Sequence, residues 1–405
     1  MAKVAIVTTS HFCTSPRVWR EADALAARGH DVTVIGVSFD PVQASLDREM
    51  LAQRRWRLRV AADLTGGTLD RRLAWTWRRA QSRLGRALVR RGIESPHALG
   101  YAVPRLLAAA RAERAALTIV HLEPALWVAT QLLRDGLRVG VDIEDWYSEN
   151  DAGSDWGGEA QQRYLRRLEA TVLRQAVHRT ATSDAMAAAL AEAYGCPAPL
   201  TIYNSLTTRP LVAAPTDPAL RLVWFSQTLG PRRGLDDLCA ALPLLRGEWR
   251  VEIRARASAE AAAWLRGMVR PDLWQRVHLE PVVPPDQLSP AIAAHDVGLA
   301  LEGQTWRSRD VTITNKVFEY AQNGLRVAAS ATAGQREALA LVPESGALYA
   351  AGDAAGLAAV LNDWIARRDA IRTDRARLHR DANAAFGYER QADRLGASVE
   401  AALGG

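Results

Sequence analysis

Short apolar runs alternate along this chain with segments whose apolar residues recur every three or four positions. The run Val4–Thr9 predicts a buried strand. Ser15 followed by Pro16 offers an N-cap with proline at the first helical position. Val18, Ala22, Leu25 and Ala26 then share one helix face, Gly29 ends the helix, and residues 30–36 begin a second strand. A strand–helix–strand opening favours a parallel sheet covered on both faces. Leu117–His121, Arg138–Asp142 and Thr180–Ser183 predict further strands with helices between them.

A second series begins near Leu220. Strands are predicted at Arg221–Phe225, Arg250–Arg254, Val277–Leu279, Val297–Leu301 and Val327–Ser330. Helices are predicted at Leu235–Leu245, Ala259–Val269, Asp286–Ala294, Lys316–Asn323 and Ala354–Arg367, with Ser258 as an N-cap. Between the two series, Pro210, Pro215 and Pro218 mark residues 207–218 as a linker. The pattern therefore predicts two doubly wound α/β domains, 1–206 and 219–385, with a C-terminal helix over 386–405 returning toward the first. Sheets of this kind bind ligands outside the carboxyl ends of their strands, so the ligands are expected in a cleft between facing domains.

Composition agrees with two cores: 405 residues exceed what one core usually supports, and 48% are hydrophobic. The amino-terminal residues read as a strand rather than a secretory signal, and no apolar run approaches the ~18 residues of a membrane span. Cys13, Cys196 and Cys239 lie far apart, in no metal-ligand spacing, which suits a reducing cytoplasm. The formal charge is +6, and Lys3 and Lys316 are the only lysines among many arginines. A coding preference for arginine accounts for most of that pattern, yet Lys316 stands where a compact ammonium would serve better than a guanidinium fork.

Arginines crowd Trp56, Trp75 and Trp77 over residues 54–91. One reading is a basic amphipathic surface for peripheral contact with anionic lipid at a membrane's inner face; the other is a solvated helix whose tryptophans fill a core. Neither zinc-finger spacing nor an RNA-binding aromatic motif accompanies the charge, so no nucleic-acid partner is expected.

The most informative segment runs from Thr312 to Ser330. Thr314 is a suitable N-cap for a short helix and Gly324 a left-handed stop, with an apolar strand directly after it. A helix amino end offers unpaired N–H groups and a positive dipole end, which would suit a diphosphate. Lys316 in the first turn would be unfavourable there without a bound anion. One turn on, Glu319 could accept from both hydroxyls of a ribose. The plainer alternative is that Lys316 and Glu319 form an ordinary solvent pair.

From Asn315 to Gly324 this segment resembles the donor helix of glycosyltransferase family 4: asparagine, lysine, two residues, glutamate, tyrosine, three residues, glycine. Phe225–Leu235 is similar to the family's loop before the first donor-domain helix, and Ala333–Glu337 to its small-residue turn followed by glutamate. The resemblance implies a GT-B architecture, α/β with two Rossmann-like domains, and a retaining glycosyltransferase that uses a nucleoside-diphosphate sugar. It implies a donor site built from Gly230, Arg232, Arg233, Gly234, Thr314, Asn315, Lys316, Val317 and Glu319, with Arg233, Lys316 and Glu319 carrying the chemistry. No metal cofactor is expected, although the acids at 142–145 are of a type that can hold magnesium. Two departures stand out. Val311 occupies the position of the family's first glutamate, leaving Glu302, Asp310 or backbone to meet the sugar. Gln227 and Thr228 stand where a second basic residue is common, so Arg232, Arg254 or Arg256 would have to supply that charge.

On the acceptor side, Asp142, Glu144, Asp145 and Glu149 follow a strand, and a carboxylate there could orient or deprotonate a hydroxyl. His11 in the first strand–helix loop and Glu123 after the strand Leu117–His121 are further candidates. The loop around His11 holds no glycine, which argues against a dinucleotide site. The acceptor, whether a glycan, a lipid-linked or cell-envelope sugar or a small molecule, is open at this point. A nucleotide-sugar epimerase of the same fold and a non-catalytic accessory subunit remain alternatives.

Overall fold

A computed structural model describes residues 1–65, 69–150, 158–231, 233–302 and 306–404. The chain divides into two compact units, Met1–Ile202 with the residues from Gln391 onward, and Tyr203–Arg390. The returning carboxyl-terminal segment packs in the first unit, where Val399 and Ala402 join its core.

The first unit holds β1 (Lys3–Val7), β2 (Asp31–Ser38), β3 (Arg57–Asp63), β4 (Leu117–His121), β5 (Val139–Ile143), β6 (His178–Ala181) and β7 (Leu200–Thr201), in the order 3-2-1-4-5-6-7. Every pairing is parallel. Its helices are α1 (Pro16–Ala27), α2 (Pro41–Leu51), α3 (Leu69–Arg90), α4 (Val103–Glu113), α5 (Glu123–Arg134), α6 (Glu159–Gln175) and α7 (Asp184–Tyr194). Strands β1, β4 and β5 are buried along almost their whole length, as the uninterrupted apolar runs require of a sheet covered on both faces.

The second unit holds β8 (Leu220–Thr228), β9 (Trp249–Arg256), β10 (Val277–Glu280), β11 (Val297–Ala300), β12 (Arg326–Ser330) and β13 (Gly346–Tyr349), in the order 10-9-8-11-12-13, again all parallel. Around it lie α8 (Leu235–Ala241), α9 (Ala259–Met268), α10 (Pro285–Ala293), α11 (Arg307–Val311), α12 (Asn315–Gln322), α13 (Ala333–Leu341), α14 (Ala354–Ala366) and α15 (Arg368–Phe386); α16 (Tyr388–Gly404) leads back to the first unit. The strand order reverses between β1 and β4 in one sheet and between β8 and β11 in the other. Such reversal points open a crevice at the strands' carboxyl ends.

Three local expectations change. The helix predicted over Leu235–Leu245 stops at Ala241 and continues as a 3-10 turn over Leu242–Leu244, where Pro243 has no N–H to give. The basic stretch 54–91 is two elements, the edge strand β3 and helix α3. Trp56 is core, its indole N–H donating to Asp23 at 2.8 Å; Trp75 packs on Tyr101, and Trp77 alone of the three is exposed. The caps also differ. Ser258 accepts from the Ala261 N–H at 3.2 Å as expected, but the Ser15 hydroxyl pairs with Ser10 at 2.8 Å and caps nothing.

Candidate functional site

In the second unit the loop after β8 carries Arg233 and Gly234. Gly234 has φ +73°, and a Cβ there would lie 2.5 Å from that of Leu301. Only glycine permits this approach, which seats the loop on the residues just past β11. Arg233 donates to the Ser226 hydroxyl at 2.8 Å and the Thr228 hydroxyl at 3.2 Å. Gly230 has open space around it, and Arg232 lies outside the described residues.

Glu302, only 4% exposed, follows Leu301; its N–H donates to the Ser330 hydroxyl at 2.8 Å. Its carboxylate binds Lys316 of α12 and lies 3.6 Å from a guanidinium nitrogen of Arg309 on α11. Lys316 thus pairs across the site with Glu302 rather than with Glu319 one turn along its own helix. Its ammonium also sits 5.8 Å from the centre of the Trp224 ring. Burial, then the charge of Arg309, push the Arg233 guanidinium below its usual range, with Glu302 acting in the opposite sense. Three cations therefore gather near one buried carboxylate.

Thr314 stands at the N-cap of α12, but its side chain makes no cap hydrogen bond, and its hydroxyl oxygen is buried without a hydrogen-bond partner. An orphaned buried hydroxyl at a helix amino end is costly unless something else fills its needs. Asn315 is exposed and accepts from the Asn204 amide at 2.7 Å. Val317 is fully buried, so it can offer a ligand only its backbone; Glu319 is half-buried on the same helix. Gly334 packs so close to Thr312 that a Cβ would lie 2.5 Å from its carbonyl carbon. Asp310, one candidate for meeting a sugar, instead accepts from the Ala333 N–H at 3.1 Å and caps α13. Arg254 is held by Glu252 at 2.7 Å, and Arg256 is exposed. Arg309, which the sequence did not single out, is the cation that joins Arg233.

In the first unit, α1 sends Arg17 and Glu21 to the carboxyl ends of β4 and β5. Arg17 grips Asp142 with two bonds of 2.7 and 2.5 Å, and the Thr180 hydroxyl donates to the same carboxylate at 2.5 Å. His121 lies 2.5 Å from Glu21 through Nε2, and through Nδ1 3.2 Å from Asp142 and 3.3 Å from Glu144. Burial alone would lower its pKa, but the three carboxylates raise it well above the ordinary histidine value. Asp142, despite its burial, is driven well below the usual carboxylate range by Arg17 and then His121. His121, Asp142 and Glu144 lie close enough together to share a metal ion. The donor set fits an imidazolium better, since both ring nitrogens face acids and Arg17 already occupies Asp142.

Leu122, next in the chain, has φ +70°, a conformation that strains a residue with a side chain. It turns the chain from His121 into Glu123, the half-buried first residue of α5. Asp145 is half-buried beyond Glu144. His11 belongs elsewhere: its Nδ1 meets Asp47 at 2.7 Å, while Nε2 accepts from the N–H groups of Phe39 and Asp40 at 3.0 and 3.1 Å. Both nitrogens are committed to holding the loops after β1 and β2, so the ring has no lone pair for an acceptor hydroxyl. Beside it a cavity of about 410 Å³ opens at the carboxyl ends of β1–β3, lined by Ser10, Phe12, Ser38, Leu58, Val60 and Asp63 among others.

Two parallel doubly wound sheets in separate units, each with a reversal point, define the two-domain Rossmann-like fold called GT-B. Residues 14–205 match the family model described as glycosyl transferase 4-like domain. Over nearly their whole lengths the chain and three solved structures share this fold. HepE of Anabaena, solved with UDP-glucose, is 16% identical with a TM-score of 0.69, covering 99% of this chain and 100% of that one. Sucrose-phosphate synthase of Thermosynechococcus elongatus is 17% identical with a TM-score of 0.70, covering 99% and 98%. The lipopolysaccharide outer core galactosyltransferase WaaB is 14% identical with a TM-score of 0.58, covering 98% and 99%. No curated protein sequence matches the chain. Residues 14–205 are thus similar to a glycosyl transferase 4-like domain, and the whole chain has the GT-B fold of these structures.

Proposed function

We propose that the second unit holds a nucleoside-diphosphate sugar and that the protein passes the sugar to a hydroxyl of a glycan or glycolipid with retention of configuration. The observation that carries this is that Lys316, in the first turn of α12, binds the buried Glu302, whose charge also acts on Arg233, while the Thr314 hydroxyl at the amino end of that helix is left without a partner. A leaving diphosphate needs positive charge more than it needs a base. Such preorganised donors are worth about 3 kcal/mol each in a transition state. The complex of HepE with UDP-glucose supports the same class of donor here. Glu319 takes the ribose, and Glu144, backed by His121, orients the acceptor. Charge at the diphosphate comes from side chains, so transfer is expected to need no metal ion and to persist in chelator.

Thermal-shift measurements with nucleoside diphosphates and their sugar conjugates test the reading. At least one of them should stabilise the wild-type chain and lose that effect in Glu319→Ala; a variant that keeps it would remove Glu319 from the site.

The exposed face of α3 supports a finer reading, peripheral contact with anionic lipid. Trp77 and Leu84 are 66% and 62% exposed, Arg79, Arg83 and Arg90 are exposed with them, and no acid occurs between residues 75 and 93. Among the described residues no helix is long and apolar enough to cross a membrane. Co-sedimentation with phosphatidylglycerol vesicles, but not phosphatidylcholine vesicles, should weaken in a Trp77→Ser, Leu84→Ser variant.

A further inference from the structure

A nucleoside-diphosphate sugar carries two negative charges on its pyrophosphate, and the loop before α8 contributes Arg233 as its described cation. Of the two other arginines considered for that charge among the described residues, Arg254 binds Glu252 and the Pro281 carbonyl, and Arg256 is exposed. Helix α11 brings Arg309 to the carboxyl end of β11, 3.6 Å from the buried Glu302 carboxylate that also binds Lys316. The contact of Gly234 with Leu301 seats the Arg233 loop on the residue before Glu302, and the charges of Arg309 and Glu302 both act on the Arg233 guanidinium.

We propose that Arg309 is the second diphosphate ligand of this site, and that Glu302 is the positioning residue that holds Arg309 and Lys316 toward the phosphates. This rests on the donor-site reading above.

The charge balance carries the inference. Arg233, Arg309 and Lys316 offer three positive charges against the one of Glu302, leaving two that the pyrophosphate would match. Like charges held together in a partly desolvated site repel unless an anion lies between them. Arg309 keeps 35% of its side chain exposed, so its fork can reach a ligand, whereas Glu302 at 5% cannot move far. A guanidinium also binds phosphate bidentately, which an ammonium cannot do. The pair with Glu302 sets where that fork waits.

Calorimetry on the full chain with UDP, GDP and ADP tests this, the tightest of the three being compared with its own nucleoside by saturation-transfer NMR. Arg309→Gln should weaken the diphosphate roughly 10- to 100-fold, the range for a hydrogen bond to a charged group, and leave the nucleoside unchanged. Arg309→Lys keeps the charge beside Glu302 and should fall between the two, which separates phosphate binding from a merely structural partner of Glu302. Should both variants bind the diphosphate as tightly as the wild type, the inference is overturned while the donor site stands. A wild-type chain that binds none of the three diphosphates overturns the donor site and this inference together.

Discussion

Glu169 on α6 offers a quantitative test of how the acidic segment after β5 is held. Its carboxylate accepts from the Ser148 N–H at 3.1 Å and from the Tyr194 hydroxyl at 2.5 Å, and Tyr194 in turn accepts from the Trp146 indole at 3.0 Å. Complete burial raises the acid from 4.5 to about 7, against the opposing effect of those two donors. The folded chain therefore keeps a proton that the unfolded chain gives up. Stability from this group is fully present below pH 4.5 and is lost as pH rises to about 7. A rise of about 2.5 pH units, at about 1.4 kcal/mol each, makes the loss up to about 3 kcal/mol. Glu169→Gln removes the titration while keeping the shape. Urea unfolding of both proteins at a series of pH values between 4.5 and 8 lets the other titrations cancel in the difference. The variant should gain on the wild type steadily across that window and no further above it. A difference that stays constant with pH would refute the reasoning.

Other expectations follow from the same geometry. Arg17→Met leaves the buried Asp142 carboxylate without its bidentate partner, and denaturant unfolding should show a loss of about 3–5 kcal/mol; a loss too small to resolve would contradict the pair. Gly234→Ala forces a Cβ against Leu301 at positive φ, so calorimetry should show nucleotide binding falling by about 1–3 kcal/mol. Lys316→Arg places a fork where Glu302 and Trp224 surround a compact ammonium, and initial-rate assays should find sugar transfer largely lost. Unchanged turnover would leave the coding preference as the explanation for Lys316.

Much of the architecture was readable because the strands of parallel sheets are continuous apolar runs, and because Gly324 stops α12 in the left-handed conformation, although the Thr314 side chain at its amino end makes no cap bond. Strand β3 was not readable: Arg57, Arg59, Val60 and Asp63 are exposed, and an arginine-rich edge strand resembles a solvated helix in composition. The proposed donor site could be suggested from sequence only where its residues are neighbours along the chain. Lys316 with Glu302, and Arg309 with Arg233, are joined only by folding, so spacing could not show them. His121 was seen as the end of a strand and no more, because Glu21 reaches it from α1, about a hundred residues earlier, while Arg17 of the same helix grips Asp142 beside it. A histidine ending one strand, with the acidic segment ending the next, was the signal available; the pairing of His121 with Asp142 across β4 and β5 appears only in the fold. His11 drew attention by its place in the first loop, yet Asp47 and two backbone N–H groups account for it.

Hydrogen–deuterium exchange of the wild-type chain with UDP, GDP or ADP at saturation would locate the diphosphate most directly. The amides from Ile313 to Val317, where α12 begins, should gain protection, together with those of Arg233 and Gly234. Protection confined to other parts of the chain, with the start of α12 exchanging as before, would contradict the donor site.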